Sequence, residues 1–345
     1  MSGGDNEVGF SAELSEKGFS AKVKSRALAA FDFLLAGKAN KRGLTDKRQI
    51  AIHDAITAAQ LSLIGAASQT LAAEIENSPE LAQRILIAFA RAERGTENVQ
   101  ACLTLALDDL SAKPEAAETT EDEPDVLDTS LLARWEHYAS GATTEELRER
   151  WAHVLSSEIR KPGTFSMKTL RVVDELDAST AQLFERFCKS SIGVCAPCVS
   201  HGLSPKELEA LEEADLIFQD ELPRYLEFRL IERGDKSMWW KLSSSNIGIV
   251  IPRDAGLEKF KRSGLISNGV GVVEGSLAIN VISMTGVGRS LSSIVDHHFE
   301  DAYKLLASSL EEYVDNRDVR LIKYVERVGW VDAAELVAHE AANAP

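Results

Sequence analysis

Three of the chain's four cysteines fall in one short stretch with a histidine behind them: Cys188-x6-Cys195-Ala-Pro-Cys198-x2-His201. Thiolates and imidazoles are favoured zinc ligands, and four of them close a tetrahedral structural site. Cys195, Cys198 and His201 in one turn would offer two sulfurs and a ring nitrogen, with Cys188 as the fourth ligand. The expectation is a structural zinc that staples this loop. The competing expectation makes Cys188 a small core hydrophobe and the others plain loop thiols. The spacing lacks the second Cys-x2-Cys pair of a standard finger. No third group is evident to orient a Cys–His pair, so no catalytic cysteine is expected.

Two further patterns invite chemistry. Asp296-His297-His298 with Glu300 and Asp301 has the residue types of a metal-dependent hydrolase. Neighbours on a helix point about 100° apart, so these side chains need a partner motif to converge, and His53-Asp54 is equally bare. Lys259, Lys261 and Arg262 would suit phosphates, as would the basic run Lys38, Lys41, Arg42, Lys47 and Arg48, although a solvated helix face accounts for that run as well.

The totals bound these options. A length of 345 residues is enough for two or three domains with real cores. The formal net charge of −16 opposes non-specific binding to nucleic acid or anionic membrane, while leaving room for a local basic patch. No apolar run reaches the roughly 18 residues of a membrane span, and the start lacks a hydrophobic signal core. The expected setting is the cytoplasm, with no membrane partner. Four cysteines do not make a disulfide framework.

The elements that must position these residues come next. Residues 1–44 read as a partly ordered N-terminal segment with an apolar cluster from Ala27 to Leu35. Residues 45–112 read as a long helical hairpin. Thr45 caps a first helix to about Asn77, with Ile52, Ile56, Ala59, Leu63 and Ala66 at helical spacing, and Ser78-Pro79 opens a second helix to about Leu110. The length of this hairpin suggests self-association. Residues 113–128 form an acidic linker with little to bury.

Residues 129–200 read as a central helical domain. Leu132, Trp135, Glu136 and Ala139 share one stripe, and Leu147, Trp151, Val154 and Leu155 another. Thr143, three residues before Glu146, fits a capping box. Pro162-Gly163 stops that helix, Ser166 caps the next, and Asp177 starts another that ends near Cys188 with Leu183, Phe184 and Phe187 inward. Glu158, Arg160, Lys161 and Ser166 lie beside the turn, where they serve either a pocket or helix packing and capping.

Trp135, Trp151, Ala152, Leu155, Glu158, Ile159, Pro162, Gly163, Phe165, Ser166, Thr169 and Leu170 together resemble the bacterial domain of unknown function 2806 family. Arg91-Ala92-Glu93-Arg94 with Asn98 resembles its Arg-rich segment, and Thr285-Gly286-x-Gly288-x-x-Leu291 a downstream one. Leu155-Ser156-Ser157-Glu158 departs from the pattern, which has small Ala or Gly residues there. The resemblance implies a soluble bacterial protein and carries over no activity and no catalytic residue.

Residues 201–330 read as an α+β domain, followed by a tail at 331–345. Leu208–Ile217 and Leu257–Ile266 echo each other as a short helix turning into a strand. Strands are expected at Tyr225–Ile231, Met238–Leu242 and Ile247–Ile251. A hairpin is expected over Gly269–Val273 and Leu277–Ile282, then a Thr285-capped helix carrying Leu291, Ile294 and Val295. This order is similar to a winged helix. Phe299–Tyr313 and Asp318–Val328 read as a terminal helix pair.

The expected fold is thus mainly α with an α+β C-terminal part: a helical hairpin, a central helical bundle and a winged-helix-like module. The expected function is a non-enzymatic cytoplasmic interaction or regulatory protein that self-associates or binds other proteins through the hairpin. The alternatives are a winged-helix nucleic-acid-binding regulator and an effector of bacterial phage defence or metal-dependent hydrolase. Apart from the zinc, no cofactor is expected.

Overall fold

The computed structural model describes residues 21–35, 79–112, 126–219, 224–244, 246–255, 269–273, 275–295, 299–314, 318–326 and 328–333. The chain divides into two compact units, Met1–Leu170 and Arg171–Pro345.

Among its described residues the first unit is helical: α1 (Ala21–Leu35), α2 (Pro79–Ala112), α3 (Thr129–Ala139), α4 (Glu145–Arg160) and the start of α5 (Met167–Glu175). In α2 the stripe Val99, Cys102, Leu103, Ala106, Leu107 and Leu110 is buried at helical spacing and packs on α4. Helix α1 packs on α3 and α4. With neighbours on several sides, α4 buries Trp151, Ala152, Val154, Leu155, Ser156, Glu158 and Ile159, far more than one amphipathic stripe.

The caps follow local chemistry, with one shift. Asp128 accepts from the backbone N–H of Ser130 to open α3. Thr144, not Thr143, caps α4, accepting from the N–H of Leu147. Two adjacent threonines offer either hydroxyl, and Thr144, in extended backbone conformation, is the one that meets the first turn. Ser166 caps α5 through the N–H of Thr169. The first arm of the expected hairpin, before Ser78, lies outside the described residues, as does 113–125 of the acidic linker.

The second unit is α+β. It holds the rest of α5, α6 (Ala178–Lys189), β1 (Cys195–Pro197), α7 (Pro205–Glu213), β2 (Ile217–Phe218), β3 (Arg224–Glu227), β4 (Arg229–Glu232), β5 (Met238–Ser244) and β6 (Ile247–Pro252). These are followed by β7 (Val270–Val273), β8 (Ser276–Met284), α8 (Gly286–Ser292), α9 (Phe299–Leu310), β9 (Arg320–Val325) and β10 (Gly329–Asp332). Asp177 caps α6 as expected. Ser204 and Glu207 form a capping box with Pro205 at the first position of α7.

The strands make two antiparallel sheets. In one, β8 is the long central strand: β1 and β7 lie along one edge, β2 and β3 along the other. In the other the order is β10-β9-β6-β5-β4. Their core joins Trp240 and Leu242 of β5, Ile247, Ile249 and Ile251 of β6, Leu277 and Ile279 of β8, and Tyr303, Leu306 and Leu310 of α9.

Two expectations change here. Asp318–Val328 is not a helix: Arg320–Val325 is a strand between β6 and β10. Its apolar spacing is compatible with either state, and pairing to the open edge of β6, distant in sequence, decides it. The Thr285-capped helix ends at Ser292, leaving Ile294 and Val295 in the turn beyond. The winged-helix expectation draws on α7, β2, β7, β8 and α8; its second copy at Leu257–Ile266 lies outside the described residues.

Candidate functional site

The signature residues come together as a packing network. Trp135, Trp151, Leu155 and Leu170 are buried. The indole N–H of Trp135 donates to the carbonyl of Trp151 at 2.8 Å, and Tyr138 stacks on Trp151 with centroids 5.3 Å apart. Glu158, also buried, accepts from the N–H of Gly163 at 2.6 Å and of Phe165 at 2.9 Å. This carboxylate pins the Pro162-Gly163 turn, where Gly163 adopts a φ of 82° that glycine tolerates best. Burial pushes the Glu158 carboxyl above its usual range, and the backbone donors only partly offset it. Arg26, fully buried, donates to the carbonyls of Ile159 and Arg160, closing the end of α4. The turn-side polar residues thus cap and brace.

A second cluster carries more chemistry. Asp109 on α2 accepts from Arg160 at 2.6 Å and from Ser156 at 2.5 Å, and His153 Nδ1 lies 3.4 Å from its other oxygen. Arg160 also donates to the Asp109 carbonyl at 2.6 Å. Burial works against the carboxylate, yet hydrogen bonds from His153, Ser156 and Arg160 outweigh it and hold Asp109 well below the ordinary range. Serine, histidine and aspartate are all present, but aspartate sits at the centre. Ser156 gives its proton to the carboxylate rather than to the imidazole, so this is not a nucleophile–base–orienter chain. It clamps α2 to α4. Ser156 is also where the sequence departs from the resembled pattern. The missed signal was Asp109 itself, three residues after Ala106 and seven after Cys102 on a buried stripe.

The cysteine cluster does not converge. Cys188 is buried on α6, its thiol pushed up to about 12 by desolvation. Cys195 on β1 contacts Ser283 Oγ at 3.4 Å. Cys198 donates its backbone N–H to the Asn280 carbonyl, and desolvation raises its thiol. His201 Nδ1 accepts from the N–H of Leu203 at 3.0 Å. Among the described residues no three His, Cys, Asp or Glu side chains are placed to hold a metal ion. Tight turns after β1 aim these side chains at separate neighbours. His53, His297, His298, Lys259, Lys261 and Arg262 lie outside the described residues.

Two exposed surfaces remain. The N-terminal half of α2 is a solvated arm on which every described side chain from 80 to 97 is exposed or partly so. At 1.5 Å per residue it extends roughly 25 Å. Leu86 is 71% exposed, Phe89 67% and Ile87 45%.

The other surface is the face of the sheet β10-β9-β6-β5-β4 turned away from its core. Alternation sends Trp240 and Leu242 inward and Trp239 and Lys241 outward. Trp239 packs with Val250 and Ile322, flanked by Ile231 and Trp330. The guanidiniums of Arg233 and Arg320 each lie 4.9 Å from the Trp239 ring centre. The Lys241 ammonium lies 3.6 Å over Trp330, which meets Tyr324 edge-on at 5.6 Å. Partial burial pulls the Lys241 amine below its usual range.

Among the described residues no helix is long and apolar enough to cross a membrane. No curated protein and no solved structure matches the chain. The family comparison does match, across the Asp109 clamp and the tryptophan network, and stops short of Thr285–Leu291: residues 83–197 match the family described as Protein of unknown function (DUF2806).

Proposed function

We propose that this chain is a non-enzymatic interaction protein that self-associates through the N-terminal half of α2. The exposure of Leu86 and Phe89, three residues apart on one side of the helix, carries this reading. A solvated helix ordinarily keeps such side chains on a covered face. On the arm, Ala82, Ile85, Phe89 and Ala92 follow three-four-three spacing, the repeat of a coiled-coil seam. Two copies crossing antiparallel about Ile87 would set Ile85 against Phe89 and Ala82 against Ala92, with Leu86 covering the flank. The small alanines would let the backbones approach closely.

The test is the mass of the full chain in solution by light scattering, beside Phe89→Glu and Ile85→Glu. The expected result is a dimer or larger species that both substitutions turn into monomer without loss of helicity. A monomeric parent chain at tens of micromolar would overturn the proposal.

A further inference from the structure

The outward face of the sheet β10-β9-β6-β5-β4 combines features that a polyanion with planar bases would satisfy. In a chain with a net charge of −16, this face sets Arg229 directly across from Lys241 in the β4–β5 register. From β5 the Lys241 side chain reaches away from β4, and its ammonium lies over Trp330 of the opposite edge strand β10. The guanidiniums of Arg233 and Arg320 both lie against one ring, Trp239, which is only 7% exposed. Trp239 therefore supports the two guanidiniums rather than offering its own face. Tyr324, 49% exposed, is the outer ring, and its cross-strand neighbour Trp330 is half-buried beneath the Lys241 ammonium.

Carboxylates are present at the margins. Asp318 pairs with Arg320 at 2.7 Å, Asp235 lies in the turn between β4 and β5, and Asp332 ends β10. They leave the Lys241 ammonium, over Trp330 and next to Tyr324, as the cation beside the outer ring. Flat antiparallel sheets that interleave aromatic rings with cations suit single strands, since every base has a face to stack and every linkage a phosphate. A duplex hides its bases and gains nothing from the rings.

We propose that this sheet face binds single-stranded nucleic acid, with a base stacking on Tyr324 and a phosphate meeting Lys241. The proposal does not depend on self-association through α2.

The experiment titrates the full-length chain into fluorescein-labelled oligo(dT) and oligo(U), and follows anisotropy at low and moderate salt. Binding is expected at low salt and is expected to weaken as salt rises. Tyr324→Ala should reduce affinity on the order of tenfold, the loss of one stacked base. Lys241→Gln should lower affinity and reduce the salt slope by about 0.7, one phosphate contact on a single strand. Circular dichroism verifies that both variants fold; Tyr324→Ser offers a second probe of the same half-exposed ring. Phe89→Glu separates the two proposals, because a monomer that still binds leaves this one intact. No binding at low salt, equal binding by the parent and Tyr324→Ala, or equal binding of duplex or poly-glutamate would each overturn it.

Discussion

The indole N–H of Trp135 donates to the backbone carbonyl of Trp151 at 2.8 Å, so the two signature tryptophans are bonded as well as buried. Trp135→Phe keeps most of the apolar contact and removes the donor. It should destabilise the helical unit by about 1–2 kcal/mol, against about 3–5 kcal/mol for Trp135→Ala. Urea unfolding followed by fluorescence measures both, and an unshifted midpoint for Trp135→Phe would show that the bond contributes nothing.

Glu158 gives a signed pH prediction. Its folded carboxyl titrates above the ordinary value of 4.5, so the folded state holds the proton more tightly than the unfolded state. The parent chain's stability relative to Glu158→Gln therefore falls as pH rises from 4.5 through the folded value. The substitution should cost about 1–3 kcal/mol, because an amide NH2 cannot accept from one of the two N–H groups it would face. That loss should be largest near pH 4.5 and shrink towards neutrality; a loss that grows with pH would contradict the assignment.

The Asp109 clamp should behave in the opposite sense. Its folded carboxyl titrates below the ordinary 3.8, so its contribution is complete above that pH and disappears as pH falls through the folded value. Asp109→Asn leaves Arg160, only 12% exposed in its side chain, without its counter-charge. A loss of about 3 kcal/mol is expected at neutral pH. Ser156→Ala, which leaves the ion pair in place, should cost only about 1 kcal/mol.

Gly288 faces the carbonyl of Leu216, and a Cβ there would collide with backbone that cannot swing away. Gly288→Ala should cost on the order of 3 kcal/mol or displace α8 from β2. Gly286, whose added Cβ meets nothing closer than the far end of Arg289 at 4.0 Å, is the control and should tolerate alanine. Thermal unfolding of the two variants side by side separates crowding from helix propensity.

Thiol reactivity should follow burial. Burial pushes Cys188 up to about 12 and Cys102 up to about 11, and both side chains are covered. Cys195 is partly exposed. Iodoacetamide at pH 8, read by peptide mass, should label Cys195 first and leave Cys188 and Cys102 unmodified until the chain unfolds. Chelator should leave that order unchanged; a chelator-dependent jump at Cys195 and Cys198 would restore the zinc expectation.

Much of the scaffold was legible because its signals are local. Asp177, Ser166 and Thr285 cap helices by hydrogen bonds that span three residues, and the Pro162-Gly163 stop acts within one turn. The β7–β8 hairpin closes through the adjacent turn at Gly275. The candidate sites were less legible, because each is made across sequence. Asp109 meets Ser156 and Arg160 some 50 positions away, and Arg26 closes a helix end 133 positions away.

The amino-acid sequence by itself determined the helix starts at Pro79, Ser166 and Asp177, the Pro162-Gly163 stop, which residues of the family block are buried, and the helical and α+β character of the two parts. These follow from capping chemistry and apolar period, which a short window contains. Only the tertiary structure decided that Arg320–Val325 is a strand, that Trp240 rather than Trp239 faces the core of its sheet, and that the clustered cysteine and histidine side chains have separate neighbours. Each of these is set by a partner distant in the chain: the open edge of β6, the packing of α9, and the hydrogen-bonding neighbours around β1. Short apolar runs fit more than one state, and pairing energy chooses among them.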